Sequence, residues 1–328
     1  MPDKILILHA GGLGDLLLAL PAMRIFRQAF PHSILELLGL PERLAVVSQD
    51  LQASSIHSID QGGVAYFYLE GVPLPPGLVA FFSSFRAVLI FGKAGGEILA
   101  DNLRRIGVSR VIFLPSFPAQ ELKVPVSDYL VKSLKDASIG GEIIFSPLRL
   151  PEASLISGRD FWVEHELKEG DRTVAIHPGS GSPVKNWNPK NFAQVADWAS
   201  ERSRVLLIVG PAEDGGKEVK RAMKKANPII ANHPSLVQLA GILKSCTVYV
   251  GNDSGVTHLA AALGIPTIAI FGPTDPAVWG PRGSQVTVIY EKESCSPCFS
   301  KMRSPCNLQC LAGIHPDAVI EILKPFLK

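Results

Sequence analysis

No apolar run in this sequence is long enough to cross a bilayer, because glycine, proline or a charged residue interrupts every candidate. A dense block of lysine and arginine is also missing: 32 basic residues nearly balance 30 acidic ones, which gives a formal net charge of +2. This balance argues against nucleic acid as a partner. The N-terminal MPDKILIL has an early acid and no small-residue cleavage site, so we expect a first strand and not a signal peptide. These absences predict a cytoplasmic protein.

The composition is typical of a well-buried α/β protein, with 328 residues of which 47% are hydrophobic and 19% are charged. Short segments rich in Ile, Val and Leu alternate with amphipathic segments, which predicts repeated βαβ units and parallel sheets. The predicted strands are Lys4–Leu8, Ile34–Leu38, Ala87–Phe91, Arg110–Phe113, Thr173–His177, Arg204–Val209, Thr247–Val250, Thr267–Phe271 and Thr287–Tyr290. The helical segments between them include Pro21–Phe30, Asn191–Ser200, Gly216–Ala226 and His258–Leu263.

The series of strands starts a second time in the middle of the chain. RTVAIHPGSG repeats the order of features in DKILILHAGGLG: a strand, a histidine, a glycine-rich turn and a helix. We therefore predict two Rossmann-like domains that face each other. The predicted organisation is an N-terminal domain at residues 1–153, a linker at 154–171, a C-terminal domain at 172–314 and a C-terminal helix at 315–328.

The first glycine-rich turn, HAGGLGDLLLALPAM at residues 9–23, matches no standard phosphate-binding motif. A dinucleotide fingerprint would need a third glycine at Leu17, and a Walker loop would need Gly-Lys-Ser/Thr at its end. Asp15, which ends the turn, would repel an anion. Glu36 lies about where a ribose-binding acid is found, but alone it is a weak signal. From this half of the chain, an N-cap role for Asp15 is slightly favoured over a functional role.

Three motifs in the second half follow predicted strands directly. HPGSGSPVKNW contains Lys185, VGPAEDGG contains Glu213, and VGNDSGVTH places Asp253 at a helix start with His258 in its first turn. Each residue has an ordinary structural explanation, as a solvated lysine, a helix-start acid, an N-cap or a packed histidine. All four lie at the carboxyl ends of strands, where open α/β sheets bind ligands, so their grouping favours a site.

These motifs together resemble glycosyltransferase family 9, the ADP-heptose:lipopolysaccharide heptosyltransferases and their relatives. The resemblance extends over nearly the whole chain, and NDSGVTHLAAALGIPTIAIFGPTDPAVWGP is its most specific part. It implies a GT-B fold of two Rossmann-like domains, with the active site in the cleft between them. It also implies an inverting, metal-independent transfer of a sugar from a nucleotide diphosphate donor to a hydroxyl of the lipopolysaccharide core.

The resemblance also implies residue roles. Asp15 matches the family's general base, and Gly11, Gly12 and Gly14 form the acceptor loop before it. The leaving diphosphate would be stabilised by Ser180, Gly181, Lys185, Ser254 and Gly255, of which the last two begin a helix. Glu213 would bind the ribose, Asp253 the donor sugar, and His258 the sugar or the phosphates. The nucleobase is expected near Pro234 and Leu236. The motifs do not distinguish ADP, UDP and GDP, and a nucleotide-sugar epimerase on the same fold is the alternative function.

Two further features leave alternatives open. Cys295, Cys298, Cys306 and Cys310 have the spacing C-x2-C then C-x3-C, which fits either a structural, non-catalytic zinc site or reduced thiols in a loop. The implied lipid-linked oligosaccharide acceptor suggests a peripheral contact at the cytoplasmic face of the inner membrane. The basic residues of the first domain fit that contact or an ordinary solvated surface equally well; they are Arg24, Arg27, Arg86, Lys93, Arg104, Arg105 and Arg110.

Overall fold

The computed structural model describes residues 3–60, 63–93, 95–119, 121–143, 145–168, 170–210, 215–299 and 306–328. The chain divides into two compact units. The first contains Met1–Phe145 and Arg149–Pro151, and the second contains Ser146–Leu148 and Glu152–Lys328. None of the described helices is long and apolar enough to span a membrane.

The first unit is a parallel sheet with helices between its strands. Its strands are β1 (Lys4–His9), β2 (Ile34–Gly39), β3 (Ala53–Ser58), β4 (Phe85–Gly92) and β5 (Arg110–Pro115). Its helices are α1 (Leu13–Ala29), α2 (Pro41–Leu51), α3 (Pro76–Ser83), α4 (Glu97–Arg105) and α5 (Val126–Asp136), with a 3-10 turn at Val64–Tyr68. The strand order β3-β2-β1-β4-β5 is Rossmann-like.

The second unit repeats this plan with one more strand. Its strands are β6 (Thr173–His177), β7 (Arg204–Val209), β8 (Ile229–Asn232), β9 (Val248–Asn252), β10 (Thr267–Phe271) and β11 (Val286–Tyr290), in the order β11-β10-β9-β6-β7-β8. Its helices are α6 (Glu152–Glu164), α7 (Pro189–Ser200), α8 (Gly215–Ala222), α9 (Leu236–Lys244), α10 (Gly255–Ala262), α11 (Pro276–Trp279), α12 (Gln309–Ala312) and α13 (Pro316–Leu323). 3-10 turns lie at Pro183–Lys185 and Lys324–Leu327.

The apolar runs of the sequence become the central strands, as predicted. Ile5 to Leu8 in β1 are buried, and so is every residue of β6, because helices cover both faces of a parallel sheet. Two strands were missed. Both β3, with the sequence ASSIHS, and β8, with IIAN, lie at a sheet edge and lack a continuous apolar run.

The boundary between the units lies earlier than the sequence predicts. Residues 154–171, assigned above to a linker, include most of α6, and this helix packs against α9 within the second unit. The packing depends on two glycines. A Cβ atom on Gly241 would lie 1.8 Å from the Ser154 carbonyl oxygen, and one on Gly158 would lie 2.3 Å from the Gly241 carbonyl carbon. The C-terminal helix α13 also belongs to this unit, because Val319 and Leu323 are part of its core.

A buried ion cluster connects α1, α2 and residues 149–151 in the first unit. Arg24 donates to both carboxylate oxygens of Asp50, from Nε at 2.7 Å and from Nη2 at 2.9 Å. The Arg149 N–H donates to Asp50 Oδ1 at 3.1 Å, and its Nη2 donates to the Asp50 carbonyl oxygen at 2.8 Å. The Asp50 side chain is only 3% exposed, and the three bonds to its carboxylate oxygens offset the cost of its desolvation.

Candidate functional site

The strand orders place a topological switch point in each unit, at the carboxyl ends of β1 and β4 and of β6 and β9. Ligands of open α/β sheets bind at such points, because the loops that leave the two strands there diverge to opposite faces. Asp15 follows β1 in the first unit. In the second unit, Ser180 and Lys185 follow β6, and Asp253 follows β9. HAGGLGD, HPGSGSPVKNW and NDSGVTH therefore lie at the switch points, whereas VGPAEDGG begins at the end of the neighbouring strand β7.

Asp15 occupies the third position of α1, and Gly12 is the N-cap residue, so the interpretation of Asp15 as the cap is wrong. The reason is that the Gly12 carbonyl already accepts the first helical hydrogen bond, from Leu16 N–H at 2.9 Å. The Gly12 N–H donates back to Asp15 Oδ2 at 2.9 Å. No residue in the described part of the chain donates to Asp15 Oδ1. One carboxylate oxygen is thus fixed, and the other is available to a ligand.

His9 and Arg43 surround this turn, and sequence reasoning assigned neither a role. Burial, together with the positive charge of Arg43, lowers the pKa of His9 from 6.5 to about 4, although Asp15 opposes the shift, so the ring is neutral at pH 7. Arg43 Nη1 donates to the Gly11 carbonyl oxygen at 2.7 Å. A Cβ atom on Gly11 would lie 2.9 Å from His9 Cε1 and 3.2 Å from Asp15 Oδ2. Glycine is required here because the imidazole and the carboxylate approach the backbone closely.

In the second unit the structure brings Lys185 and Asp253 into contact. Lys185 Nζ lies 2.8 Å from Asp253 Oδ2, and the Thr274 hydroxyl donates to the same oxygen at 2.6 Å. Asp253 Oδ1 accepts no hydrogen bond from any other described residue. The loop that carries Lys185 is fixed by Asn252, whose Nδ2 donates to the Pro178 carbonyl oxygen at 2.6 Å and whose Oδ1 accepts the Trp187 N–H at 3.0 Å.

Helix α10 begins at this cluster. Ser254 is its N-cap residue, and its hydroxyl accepts the Thr257 N–H at 3.4 Å and lies 3.4 Å from His177 Nδ1. The Ser254 and Gly255 N–H groups donate to no other described residue, as is usual at a helix start. These N–H groups and the helix dipole favour an anion at this point. His258 follows in the first turn and is buried.

The remaining donor-site predictions fall at neighbouring strand ends. The Ser180 hydroxyl lies 2.7 Å from both the Ser182 carbonyl oxygen and Asn186 Oδ1, so it stabilises its own turn, and a Cβ atom on Gly181 would meet open space. Pro234 follows the edge strand β8, and Leu236 is the first residue of α9. Glu213 lies outside the described residues. Glu36, the other candidate for a ribose ligand, pairs with Lys4 at 2.8 Å and His57 at 2.7 Å.

The four clustered cysteines are free thiols of differing exposure. Cys295 and Cys306 are exposed, Cys298 is half-buried, and Cys310 is buried in α12. Burial and the neighbouring thiols raise the pKa of Cys298 to about 11 and also raise that of Cys310. Within the described ranges, no group of three or more His, Cys, Asp or Glu side chains is arranged to hold a metal ion. Zinc at this cluster stays a prediction.

Most of the basic residues considered for a lipid surface have protein partners. Arg24 is buried against Asp50, Arg86 pairs with Asp3 at 2.6 Å, and Arg104 pairs with Asp101 at 2.6 Å. The other two arginines with contacts donate to backbone carbonyl oxygens, Arg27 to Phe30 and Arg110 to Ala137 and Ser138. These partners weaken the case for a basic membrane surface, because three of the five charges are paired with carboxylates and the other two side chains already donate to carbonyl oxygens.

Comparison with known proteins relates the chain to one family of enzymes. The family model described as glycosyltransferase family 9 (heptosyltransferase) matches residues 153–309. Lipooligosaccharide heptosyltransferase 2 of Campylobacter jejuni is 28% identical over 169 residues, which cover 49% of this chain and 53% of that protein. Lipopolysaccharide heptosyltransferase 2 of Escherichia coli K12 is 21% identical over an alignment that covers 99% of this chain and 98% of that protein. The chain thus spans about half the length of the first Campylobacter relative but nearly all of the E. coli one.

Solved structures share the fold. The structure described as E. coli ADP-heptose LPS heptosyltransferase II superposes with a TM-score of 0.73 at 18% identity, and the match covers 99% of this chain and 98% of that chain. Agreement over the full length at so low an identity shows the GT-B fold class predicted above, with two parallel sheets. The identity is too low to transfer residue roles from that protein.

Proposed function

We propose that this chain, which is similar to the heptosyltransferases of glycosyltransferase family 9, transfers a heptose from ADP-heptose to a hydroxyl of the lipopolysaccharide inner core. The observation that carries the proposal is the contrast between the two switch points. The first has a carboxylate with one unoccupied oxygen, and the second has the N–H groups of a helix N-terminus beside Lys185, which pairs with Asp253. A base and a site for a leaving anion are what an inverting transfer needs when no metal takes part.

In this proposal Asp15 is the general base. Its Oδ2 is oriented by the Gly12 N–H, and its Oδ1 accepts the proton of the acceptor hydroxyl while that hydroxyl attacks the anomeric carbon from the face opposite the diphosphate. The ring of His9 is neutral at pH 7 and so forms no ion pair with the carboxylate, which leaves Asp15 available as a base. The glycines before Asp15 allow a bulky acceptor to approach the backbone.

The leaving diphosphate is stabilised in the second unit. Lys185 supplies a positive charge, and the N–H groups of Ser254 and Gly255 supply hydrogen bonds at the start of α10. Asp253 Oδ2 accepts from Lys185 and Thr274, so Oδ1 is the oxygen that binds hydroxyls of the donor sugar. Pro234, which follows the edge strand β8, and Leu236, the first residue of α9, would lie near the nucleobase. No step of this mechanism requires a metal ion.

The test combines nucleotide specificity with acceptor dependence. We expect ADP to raise the melting temperature more than UDP or GDP, since a ligand present at a hundred times its Kd adds about 2.7 kcal/mol of stability. ADP-heptose is then incubated alone and with a heptose-free lipopolysaccharide core. Release of ADP only when the core is present, with a product heavier by one heptose, supports transfer. An epimerised sugar without the core would establish the alternative function, and no reaction in either tube would refute both.

A further inference from the structure

Phe299, a residue of the cysteine-rich segment, lies directly against the proposed donor site. Its ring centroid is 4.6 Å from Lys185 Nζ, within the range of a cation–π contact. The side chain is 43% exposed, so the rest of the ring surface faces solvent. Neither the motifs nor the proposed function uses this residue.

One loop fixes both the ring and the carboxylate that contact Lys185. The N–H groups of Cys298 and Phe299 both donate to the Pro273 carbonyl oxygen, at 2.9 and 3.0 Å. The next residue, Thr274, donates its hydroxyl to Asp253 at 2.6 Å. The ammonium group of Lys185 therefore has contacts on two sides, and both are held by residues 273–274 after β10.

This arrangement restricts a flexible side chain without occupying its hydrogen-bond donors. A lysine ammonium carries three N–H donors on a four-carbon stem and loses much entropy when it is held in one place. Asp253 accepts one of these donors, whereas an aromatic face attracts the charge without accepting a directed hydrogen bond. The remaining N–H groups stay available to oxygen atoms of a diphosphate.

We propose that Phe299 is a positioning residue for Lys185 and thereby sets the affinity of the second unit for nucleoside diphosphates. The proposal rests on the assignment of Lys185 to the donor site. It gives the cysteine-rich segment a task in donor binding that does not depend on whether the cysteines bind a metal. Phe299 acts through Lys185 and takes no part in the chemical step.

The experiment measures ADP and inorganic pyrophosphate affinity by calorimetry for Phe299→Leu, Phe299→Tyr and Lys185→Ala. We expect Phe299→Leu to weaken both ligands by about 3- to 10-fold, as the loss of one partly buried cation–π contact predicts, and Phe299→Tyr to stay within about twofold of wild type. Phe299→Leu made in the Lys185→Ala protein should cause no further loss, since its effect passes through the lysine. Tyr66→Leu, which alters an aromatic residue of similar exposure in the first unit (49%, against 43% for Phe299), is the control. Phe299→Met is a second aliphatic variant in case the leucine protein is unstable.

The outcomes separate the two proposals. If Lys185→Ala lowers the affinity for ADP but Phe299→Leu and Phe299→Met do not, Phe299 has no positioning role and only this inference fails. If Lys185→Ala leaves ADP affinity unchanged, the donor-site assignment itself fails. Tighter binding by Phe299→Leu would mean that the ring shields Lys185 from the ligand, and it would overturn the inference. Equal losses of ADP affinity in Phe299→Leu and Phe299→Tyr would also overturn the inference, because the aromatic ring would then not be what matters.

Discussion

Replacement of Asp15 by asparagine separates its proposed catalytic role from its role in the helix. Asparagine is nearly the same size, and its side-chain oxygen can still accept the Gly12 N–H that now donates to Oδ2 at 2.9 Å. Its amide nitrogen would take the place of Oδ1, which accepts nothing from the described residues. The substitution therefore keeps the local contacts and removes only the negative charge and the ability to accept a proton.

The expected effects of Asp15→Asn on stability and on turnover differ greatly in size. An acid in the first turn of a helix stabilises the helix dipole by about 0.3–1 kcal/mol, so Asp15→Asn should lower the free energy of unfolding by no more than that. A positioned general base contributes about 10²–10⁴-fold in rate, equivalent to about 2.7–5.4 kcal/mol of activation free energy. We expect turnover to fall by at least 100-fold while ADP affinity, which belongs to the second unit, stays unchanged.

The assay follows ADP release with donor and acceptor both saturating, and urea denaturation and calorimetry are run on the same preparations. Asp128→Asn is the matched control, because Asp128 is also an acid in the first turn of a helix of the first unit, α5, and has no proposed role in catalysis. Asp15→Ala should be as inactive as the asparagine variant and less stable, since it also loses the hydrogen bond from Gly12. Turnover by Asp15→Asn within about twofold of wild type would refute the assignment of Asp15 as the base.

Three further predictions concern stability and metal. Asp50→Asn should cost about 3–5 kcal/mol in urea denaturation, because it removes the negative charge from an ion pair whose Arg24 and Asp50 side chains are only 14% and 3% exposed. Asp136→Asn at the exposed pair with Lys132 should cost less than about 1 kcal/mol. Equal losses of stability in the two variants would show that burial of the Asp50 pair does not stabilise the fold. Burial raises the pKa of Glu36, but hydrogen bonds from Lys4 and His57 outweigh it and lower the pKa below 4.5, so its contribution is complete above pH 4.5 and is lost as the pH falls below that value. Glu36→Gln should make the free energy of unfolding depend less on pH below pH 4.5. An unchanged dependence on pH would contradict the lowered pKa of Glu36. Transfer activity should persist when a chelator is added. If the protein carries about one zinc per chain and the chelator lowers its melting temperature, the metal belongs to a structural site at Cys295, Cys298, Cys306 and Cys310. Loss of activity without a fall in melting temperature would contradict a metal-independent reaction.

The sequence predicts those strands and helices whose formation depends on residues close together along the chain. The central strands are continuous apolar runs, so β1 and β6 are evident without a structure. Strand β3 is not evident from the sequence, because an edge strand pairs on one side only and tolerates polar residues such as Ser54, Ser55 and His57. The linker prediction left α6 outside the second unit for a related reason: the packing of this helix depends on Gly158 and Gly241, which are far apart in sequence, and no local pattern marks such a pair.

The same distinction applies to the candidate site. Asp15, Lys185 and Asp253 stand in motifs at strand ends, and sequence reasoning selected all three. The residues around them were missed, because their partners are distant along the chain: Arg43 contacts the carbonyl of Gly11, and Phe299 contacts Lys185. The sequence placed Asp15 at the helix start, but only the backbone geometry shows that Gly12 is the N-cap and that the carboxylate points back to its N–H.

The two units share one strand–histidine–turn–helix plan and differ in what compensates the charge at the helix start. In the first unit the chain provides its own anion, because Asp15 accepts the Gly12 N–H that would otherwise be available to a phosphate. In the second unit Ser254 caps α10 with an uncharged hydroxyl, its neighbouring N–H groups stay open, and Lys185 lies beside them in its pair with Asp253. A phosphate is therefore disfavoured at the first turn and favoured at the second. In the proposed mechanism, the acid that makes HAGGLGD a poor phosphate loop leaves this turn to the neutral hydroxyl of an acceptor and accepts its proton.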